Sequence, residues 1–282
     1  MIKMVVSDID GTLLTEGTDQ MNPEYYEVIR ELKKKGILFV AASGRQYASM
    51  KYVLAPVAED LIFVSENGAN ITQNEKDLIN IYMDPESSKE IIEFMRTLPD
   101  CDSMLCTPRT QYLEKRNEKL LDWLQNGYRS HVEVVDDLMD YIDQANKFSI
   151  YREGGAAAIG QQVVDRFSDK LSVAVSGSVW IDIMNQGMDK GSTILQLQEK
   201  MGITPEETIV FGDNCNDLGM FRCAVETYAV ATAHPDLIAA ARHVIPGPDE
   251  NGVLQTLKEL LLLHVQIKAQ RLESEKFCRK ST

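Results

Sequence analysis

The stretch Asp8-Ile9-Asp10-Gly11-Thr12-Leu13 directly follows a short apolar run, Lys3–Ser7, at the start of the chain. A run of this length, bounded by turn residues, is typical of a buried β-strand. Side chains two positions apart on an extended backbone point the same way, so Asp8 and Asp10 can address one ligand. Gly11 lets the chain turn sharply after them. Taken alone, the stretch is better explained as a surface turn with two solvated acids.

Three later segments also place polar residues at the end of a strand or the start of a helix. Ala41-Ala42-Ser43-Gly44-Arg45 supplies a hydroxyl and a glycine amide that can approach an anion. Lys190-Gly191-Ser192 opens a helical pattern, which puts an ammonium beside a positive helix terminus. Gly212-Asp213-Asn214-Cys215-Asn216-Asp217 follows another apolar run. Each segment alone fits a turn or a solvated helix start, but all four in this order indicate one site.

Strand-like and helix-like segments alternate on both sides of these motifs. Asn22–Lys35 is helical in pattern between the first two predicted strands, and the alternation returns after Lys190. Such alternation predicts a parallel sheet with right-handed crossovers, so we expect an α/β fold with a Rossmann-like core and helices on both faces. Ligands of such sheets lie beyond the carboxyl ends of the strands, which places Asp8, Ser43 and Glu66 along one edge.

The middle of the chain departs from this alternation. Between Asp84 and Asn185, helical stretches mix with isolated strands, which predicts an inserted α+β domain. We therefore expect a discontinuous core at 1–83 and 186–263, an inserted cap domain at 84–185 and a C-terminal extension at 264–282. The extension mixes basic and acidic residues with little apolar periodicity, so we expect a solvated tail, with a partner-binding tail as the alternative.

Composition limits the classes of partner. The net charge of −14 opposes binding to the polyanion of nucleic acid. No segment approaches the roughly 20 continuous apolar residues of a membrane span, and the first residues lack the pattern of a signal peptide, so we expect a soluble, cytoplasmic protein.

The five cysteines are irregularly spaced and are expected to be reduced thiols. Cys215 has no nearby histidine in the sequence and is expected to be a small filler residue.

The four motifs and their spacing resemble those of the haloacid-dehalogenase superfamily, and specifically its Cof-type phosphatases with a large α/β cap. Ser65-Glu66-Asn67-Gly68-Ala69 and Glu250-Asn251-Gly252-Val253 are also similar to that subfamily, so the resemblance extends to about Leu263. The chain departs from its relatives at Ala231-Thr232-Ala233, where an asparagine commonly precedes the alanine. This departure puts in doubt a loop or phosphate contact there.

The resemblance implies a phosphatase of small phosphorylated metabolites, sugar phosphates first and cofactor phosphates behind them. Asp8 would be the nucleophile that forms a phosphoaspartate, and Asp10 the general acid and base. Lys190 would offset charge on Asp8 and on the phosphoryl group, while Ser43, Gly44 and Asn216 would bind phosphate oxygens.

The resemblance also implies a metal, because converging carboxylates repel one another. Mg²⁺ suits hard oxygen ligands, and we expect it on the Asp8 side chain, the Asp10 carbonyl and Asp213, with Asp217 as a ligand or in a close supporting position. Three residues are candidates for substrate contact or cap gating: Arg45, Asn67 and Arg109. A plain turn with a solvated Arg109 is an equally good interpretation.

Two other functions remain open at the level of sequence. Sugar-phosphate mutases share this core and cap, but no feature of the chain indicates a site that retains a bisphosphate. A non-catalytic binding or regulatory module is disfavoured because Asp8, Asp10, Lys190 and Asp213 are all present. The oligomeric state and the physiological substrate cannot be read from the sequence.

Overall fold

A computed structural model describes residues 1–15, 18–176 and 178–263 of the chain, so the predicted extension at 264–282 lies outside the described residues. The strands are β1 Met4–Ser7, β2 Leu38–Ala42, β3 Leu61–Ser65, β4 Asn70–Gln73, β5 Lys76–Asn80, β6 Asp102–Cys106, β7 Gln111–Leu113, β8 Val132–Val134, β9 Lys147–Tyr151, β10 Leu171–Ser176, β11 Trp180–Asn185, β12 Thr208–Gly212, β13 Glu226–Val230 and β14 His243–Ile245. The helices are α1 Glu24–Lys34, α2 Tyr47–Val53, α3 Pro85–Met95, α4 Glu118–Asp122, α5 Ala157–Phe167, α6 Lys190–Met201, α7 Leu218–Phe221, α8 Pro235–Ala240 and α9 at 252–263.

The described chain divides into two compact units. The first contains residues 1–41, 56–61 and the described residues from Leu197 onward. Its strands are parallel and lie in the order β14-β13-β12-β1-β2. Every residue of β1 and β12 is buried, so both faces of the sheet are covered, as parallel strands require. The predicted Rossmann-like fold class is confirmed.

Helices α1 and α9 are joined through a buried tyrosine of the first unit. The Leu254 amide donates to the Tyr25 hydroxyl at 3.2 Å, and burial raises the pKa of Tyr25 to about 12. Helix α1 buries Tyr25, Val28, Ile29 and Leu32, an i, i+3, i+4, i+7 stripe, and it ends at Lys34, shortly before Gly36 with φ +76°. The glycine predicted as a helix stop therefore has the left-handed conformation that suits this position.

The second unit contains residues 42–55 and 62–196. Strands β3, β4 and β5 form an antiparallel meander in it. A further six-stranded sheet has the order β10-β11-β9-β6-β7-β8, antiparallel except for the parallel pair of β7 and β8. This sheet lies within the predicted insert, whose α+β character it confirms.

The six-stranded sheet carries apolar residues on both faces. One face and the helices α3 and α5 form a large buried cluster that includes Ile92, Phe148 and Val163. The other face has a smaller cluster around Met104 and Leu120. Beside that cluster, Trp123 and Trp180 have ring centroids 5.9 Å apart, and Tyr151 contacts both. The insert thus holds apolar clusters of its own, while its exact boundaries stay a prediction.

In the part of the chain that the structure describes, no helix is long and apolar enough to cross a membrane.

Candidate active site

The turn after β1 is closed by backbone hydrogen bonds of the first unit. The Asp8 amide donates to the Phe211 carbonyl at 3.1 Å, which continues the pairing of β1 with β12 beyond the strand. The amides of Leu13 and Leu14 both donate to the Ile9 carbonyl, at 2.9 and 2.8 Å. Asp8 is 5% exposed, so it is nearly buried at the start of this turn.

Gly11 brings the same turn against Asp213. Gly11 has φ +80°, and a Cβ atom there would lie 2.7 Å from Asp213 Cγ, so a side chain fits neither the backbone nor the space. Thr12 then donates its hydroxyl to Asp213 Oδ1 at 3.0 Å. The Asp10-Gly11-Thr12 segment therefore fixes one oxygen of the Asp213 carboxylate.

The Asp217 carboxylate stabilises the loop after β12 by accepting hydrogen bonds from backbone amides of that loop. Its Oδ2 accepts the amides of Asp213 at 3.0 Å and of Asn214 at 3.1 Å, and the residue is fully buried. Gly212 gives the carboxylate room, because a Cβ there would lie 2.7 Å from Asp217 Cβ. These contacts hold the loop after β12 together, while the place of Asp217 among the metal ligands stays a prediction.

Three carboxylates converge in the first unit. Oxygen atoms of Asp8, Asp213 and Asp217 all lie within 4.8 Å of one another. Two unit charges 4 Å apart repel by about 4 kcal/mol at an effective dielectric of 20, so the group favours a bound cation. Carboxylate oxygens in this number fit a hard divalent ion. Asp10 is half-buried in the turn beside them, and Asn216 is exposed in the turn Cys215–Asp217.

The predicted anion-binding residues at the end of β2 belong to the second unit. Ser43 is 2% exposed; its amide donates to the Val64 carbonyl at 2.9 Å, and its hydroxyl accepts the Arg45 amide at 3.1 Å. The Asn67 amide donates to the Ser43 carbonyl at 3.1 Å. A Cβ at Gly44 would lie 3.2 Å from the Asn67 side chain, so Asn67 packs directly on the Ser43-Gly44 turn.

Lys190 is the first residue of α6 and is fully buried. The helix start is fixed by Asp189, whose Oδ1 accepts the Ser192 amide at 2.6 Å. A buried ammonium at this position is costly without nearby negative charge, which is consistent with a charge-compensating role.

Comparison with known protein families gives a match that spans most of the chain. The family model of haloacid dehalogenase-like hydrolases matches residues 5–257. The chain belongs to this family. The Cof-type resemblance predicted from the motifs is confirmed, and the chain is a phosphatase of this family. Phosphatases of the family generally use a divalent metal, in keeping with the three converging carboxylates.

Individual relatives of this hydrolase cover nearly its whole length. The 5-amino-6-(5-phospho-D-ribitylamino)uracil phosphatase YbjI of Escherichia coli K12 is 27% identical over 92% of this chain and 96% of its own. A crystal structure from Eubacterium rectale has a TM-score of 0.86 at 32% identity and covers 92% of this chain and 99% of its own. That of TM0651 from Thermotoga maritima has a TM-score of 0.82 at 26% identity, over 92% and 97%.

Arg109 of this hydrolase is more engaged than a solvated turn residue. The side chain pairs with Asp77 Oδ1 at 2.5 Å and donates to the Glu75 carbonyl at 3.2 Å. Its guanidinium lies 4.5 Å from the centre of the Tyr47 ring. These contacts tie the β6–β7 turn to the β4–β5 hairpin and to α2, so Arg109 positions that turn within the second unit.

Two groups of side chains in the hydrolase come together in a way that the local sequence does not predict. Cys215 was expected to be a filler without a histidine nearby, yet its sulfur, a His234 ring nitrogen and an Asp236 oxygen lie within 4.8 Å of one another. Glu66 was expected at the sheet edge, and it forms a buried ion pair with Lys147. Cys215 is distant in sequence from His234 and Asp236, as Glu66 is from Lys147, and strand and helix patterns do not reveal such contacts.

Proposed function

We propose that this phosphatase hydrolyses small phosphorylated metabolites with Mg²⁺, through a phosphoaspartate on Asp8. The convergence of the Asp8, Asp213 and Asp217 carboxylates at the ends of β1 and β12 carries the proposal. One of the three, Asp8, is nearly buried and lies in a closed turn, so it is a fixed nucleophile. When bound, Mg²⁺ neutralises charge on these carboxylates and on the phosphate.

The chain's own residues then divide one difficult displacement into two easier ones. A carboxylate oxygen of Asp8 attacks phosphorus, and the bond from phosphorus to the leaving oxygen breaks while Asp10 donates a proton to that oxygen. In the second step Asp10 takes a proton from water, the water oxygen attacks phosphorus, and Asp8 is released. Lys190, Ser43 and Asn216 are assigned to the phosphate oxygens, where fixed donors favour the charge that develops.

Sugar phosphates lead the substrates we propose. The name of the relative from E. coli describes a phosphate carried on a ribityl chain, which is a polyhydroxylated monoester. That relationship supports a metabolite of this chemistry without fixing its identity. Phosphates of cofactors, such as flavin or pyridoxal derivatives, follow as the next class.

The test is a screen of phosphorylated metabolites with Mg²⁺ that reports released phosphate. Asp8→Asn should lower turnover by at least about 10³-fold, because the change removes the nucleophile with little change of shape. Asp236→Asn is the matched control, since this exposed acid of the same unit has no assigned role in the reaction. EDTA should abolish activity and Mg²⁺ should restore it.

Three outcomes would contradict the proposal. They are phosphate release by Asp8→Asn at the wild-type rate, full activity in metal-free buffer, and a beryllofluoride adduct on Ser43 instead of Asp8. Isomer formed in excess of free phosphate would instead identify a phosphomutase.

A further inference from the structure

The loop that follows β3 is held in an unusual backbone conformation. Glu66, Asn67 and Gly68 have φ of +51°, +54° and +106°, so three consecutive residues lie in the left-handed region. Gly68 adopts it without strain and Asn67 at a small cost, whereas the Cβ of Glu66 disfavours it. A strained segment of this kind persists only where its surroundings hold it in place, and such segments cluster at functional sites.

The Glu66 side chain is part of what holds the loop. It is 1% exposed and forms an ion pair with Lys147 of β9, which is 5% exposed. Lys147 Nζ lies 3.9 Å from Asp182 Oδ1 on β11, and Ser149 donates its hydroxyl to the same oxygen at 2.5 Å. The loop after β3 is thereby linked by charge to two strands of the six-stranded sheet.

Electrostatics keeps the Lys147 end of this link charged. Burial by itself lowers the pKa of Lys147, but the Asp182 and Glu66 carboxylates more than offset it and raise that pKa above its ordinary value. Burial raises the pKa of Glu66, and Lys147 opposes the shift. A buried ion pair gains little net stability because desolvation offsets the attraction. The role of this ion pair therefore follows from the loop that it holds in position.

Two groups of assigned residues depend on this loop. The Glu66 amide donates to the Arg45 carbonyl at 3.0 Å, and the Asn67 amide donates to the Ser43 carbonyl at 3.1 Å. On its other side, Gly68 lies so close to the start of α6 that a Cβ would be 2.5 Å from the Asp189 carbonyl oxygen. The Thr193 hydroxyl donates to the Gly68 carbonyl at 2.6 Å. The loop therefore connects the Ser43 turn with the helix start that carries Lys190.

We propose that Glu66 is a positioning residue, whose ion pair with Lys147 fixes the 66–68 loop and thereby places Ser43 and Lys190 for phosphoryl transfer. This inference rests on the proposed function for the roles of Ser43 and Lys190. Glu66 and Lys147 act through the loop and have no contact with the transferred group. The inserted strands consequently contribute to the chemical step as well as to the choice of substrate.

The test compares Glu66→Gln, Lys147→Met and the double variant with the wild type. Each single change should lower kcat by about 10- to 100-fold, because small misplacements of reacting groups cost that much. KM should change little, and the loss should be the same for 4-nitrophenyl phosphate and for a metabolite. The double variant should be no worse than the poorer single variant, as expected of two residues that act through one contact.

A structural control separates positioning from stability. Arg96→Met removes the ion pair of Arg96 with Glu114, which lies in the same unit and does not touch the 66–68 loop. It should lower Tm and leave kcat unchanged. The double variant, which leaves no unpaired buried charge at positions 66 and 147, should recover Tm relative to the single variants and keep the low kcat.

Hydrogen exchange provides a readout that needs no turnover. Amides of Glu66 and Asn67 should exchange faster in Glu66→Gln and Lys147→Met than in the wild type, and Arg96→Met should not change them. If the wild type released no phosphate from any substrate, the proposed function would fail, and this measurement would still decide the role of the ion pair in the loop.

Three results would overturn the inference. The first is unchanged kcat in both single variants. The second is recovery of kcat together with Tm in the double variant, which would make the ion pair merely structural. The third is a loss confined to metabolites and absent with 4-nitrophenyl phosphate, which would assign Lys147 to the leaving group.

Discussion

In the first unit, Gly11 allows the turn after β1 to approach Asp213 in the loop after β12. Gly11 and Gly36 have nearly the same backbone, with φ of +80° and +76°, but a Cβ at Gly11 would collide with Asp213 while one at Gly36 would meet nothing within 4 Å. Comparing the two positions therefore separates the cost of backbone strain from the cost of displacing Asp213, the proposed metal ligand.

We expect Gly11→Ala and Gly36→Ala each to lose about 1–2 kcal/mol of stability from left-handed strain. Gly11→Ala alone should also raise the Mg²⁺ concentration needed for half-maximal activity by about 10-fold or more, as is usual when the surroundings of a ligand are disturbed. Calorimetry and Mg²⁺ titrations of activity measure the two effects. Equal metal requirements in both variants would show that Asp213 is not positioned by this contact.

At the scale of elements, a salt-bridge network joins α3 to the segments around it. Arg96 pairs with Glu114, which follows β7, and with Asp137 at 2.7 Å. Glu114 also accepts the Leu138 amide at 2.9 Å. Burial alone would raise the pKa of Glu114, but Arg96 and the Leu138 amide hold it below its ordinary value. The ionised carboxylate is therefore the form that stabilises the folded protein.

This contribution should depend on pH with a defined sign. A lowered folded pKa means that the stabilisation is present above the ordinary value, about 4.3, and is lost as pH falls through the folded pKa. Glu114→Gln should lower Tm at pH 7 by about 2–4 °C, which corresponds to about 1 kcal/mol. The difference from wild type should shrink below pH 4 in calorimetry. Glu118→Gln, in an exposed pair with Arg116, is the control and should change Tm little at either pH.

The elements of the parallel sheet were predictable because their signals are local. The apolar run Lys3–Ser7 contains β1, and the predicted helix 22–35 contains α1. Continuous apolar runs followed by acids, and helices that end at glycine, need no distant partner to be recognised.

The missed elements lack such signals. Helix α2 is only seven residues long, β6 begins with the polar pair Asp102-Ser103, and β8 has three residues. After Asn117 the chain is a regular helix only as far as Asp122, and a wider turn, Trp123–Gly127, follows before the left-handed Arg129. Tertiary pairing sets these elements, so a local pattern cannot define them.

The same difference between local signals and distant contacts applies to the candidate site. The clustering of Asp8, Asp213 and Asp217 followed from strand ends and motif order. The supporting contacts of Asp217 with two amides, and of Glu66 with Lys147, depend on loop conformations and on strands far away in sequence. Sequence reasoning therefore found the acids that meet, but not the contacts through which Asp217 and the 66–68 loop are held.

At the scale of the whole molecule, the predicted cap at 84–185 can be tested by removal. Most of the residues in the two apolar clusters of the second unit lie within that span, so its excision should leave a foldable core. Glu66→Gln must accompany the excision, because Lys147 is lost with the cap. Phosphoryl transfer from an aryl phosphate should survive weakly, while discrimination among metabolites should collapse.

The measurement is kcat/KM for one good metabolite and for 4-nitrophenyl phosphate, in the intact and the shortened protein. Circular dichroism must first show that the shortened protein is folded. Unchanged preference for the metabolite would refute the role assigned to the cap.

The contact of Trp123 with Trp180 gives the protein an intrinsic fluorescent probe. These are the two tryptophans of the sequence, and both lie in the predicted cap. Their indole planes, inclined by 30° at a centroid distance of 5.9 Å, are close enough for their excited states to couple. Intrinsic fluorescence therefore records the surroundings of this one cluster, whereas far-ultraviolet dichroism averages over every helix and strand. Denaturation curves from the two signals will coincide only if the chain unfolds in a single concerted step.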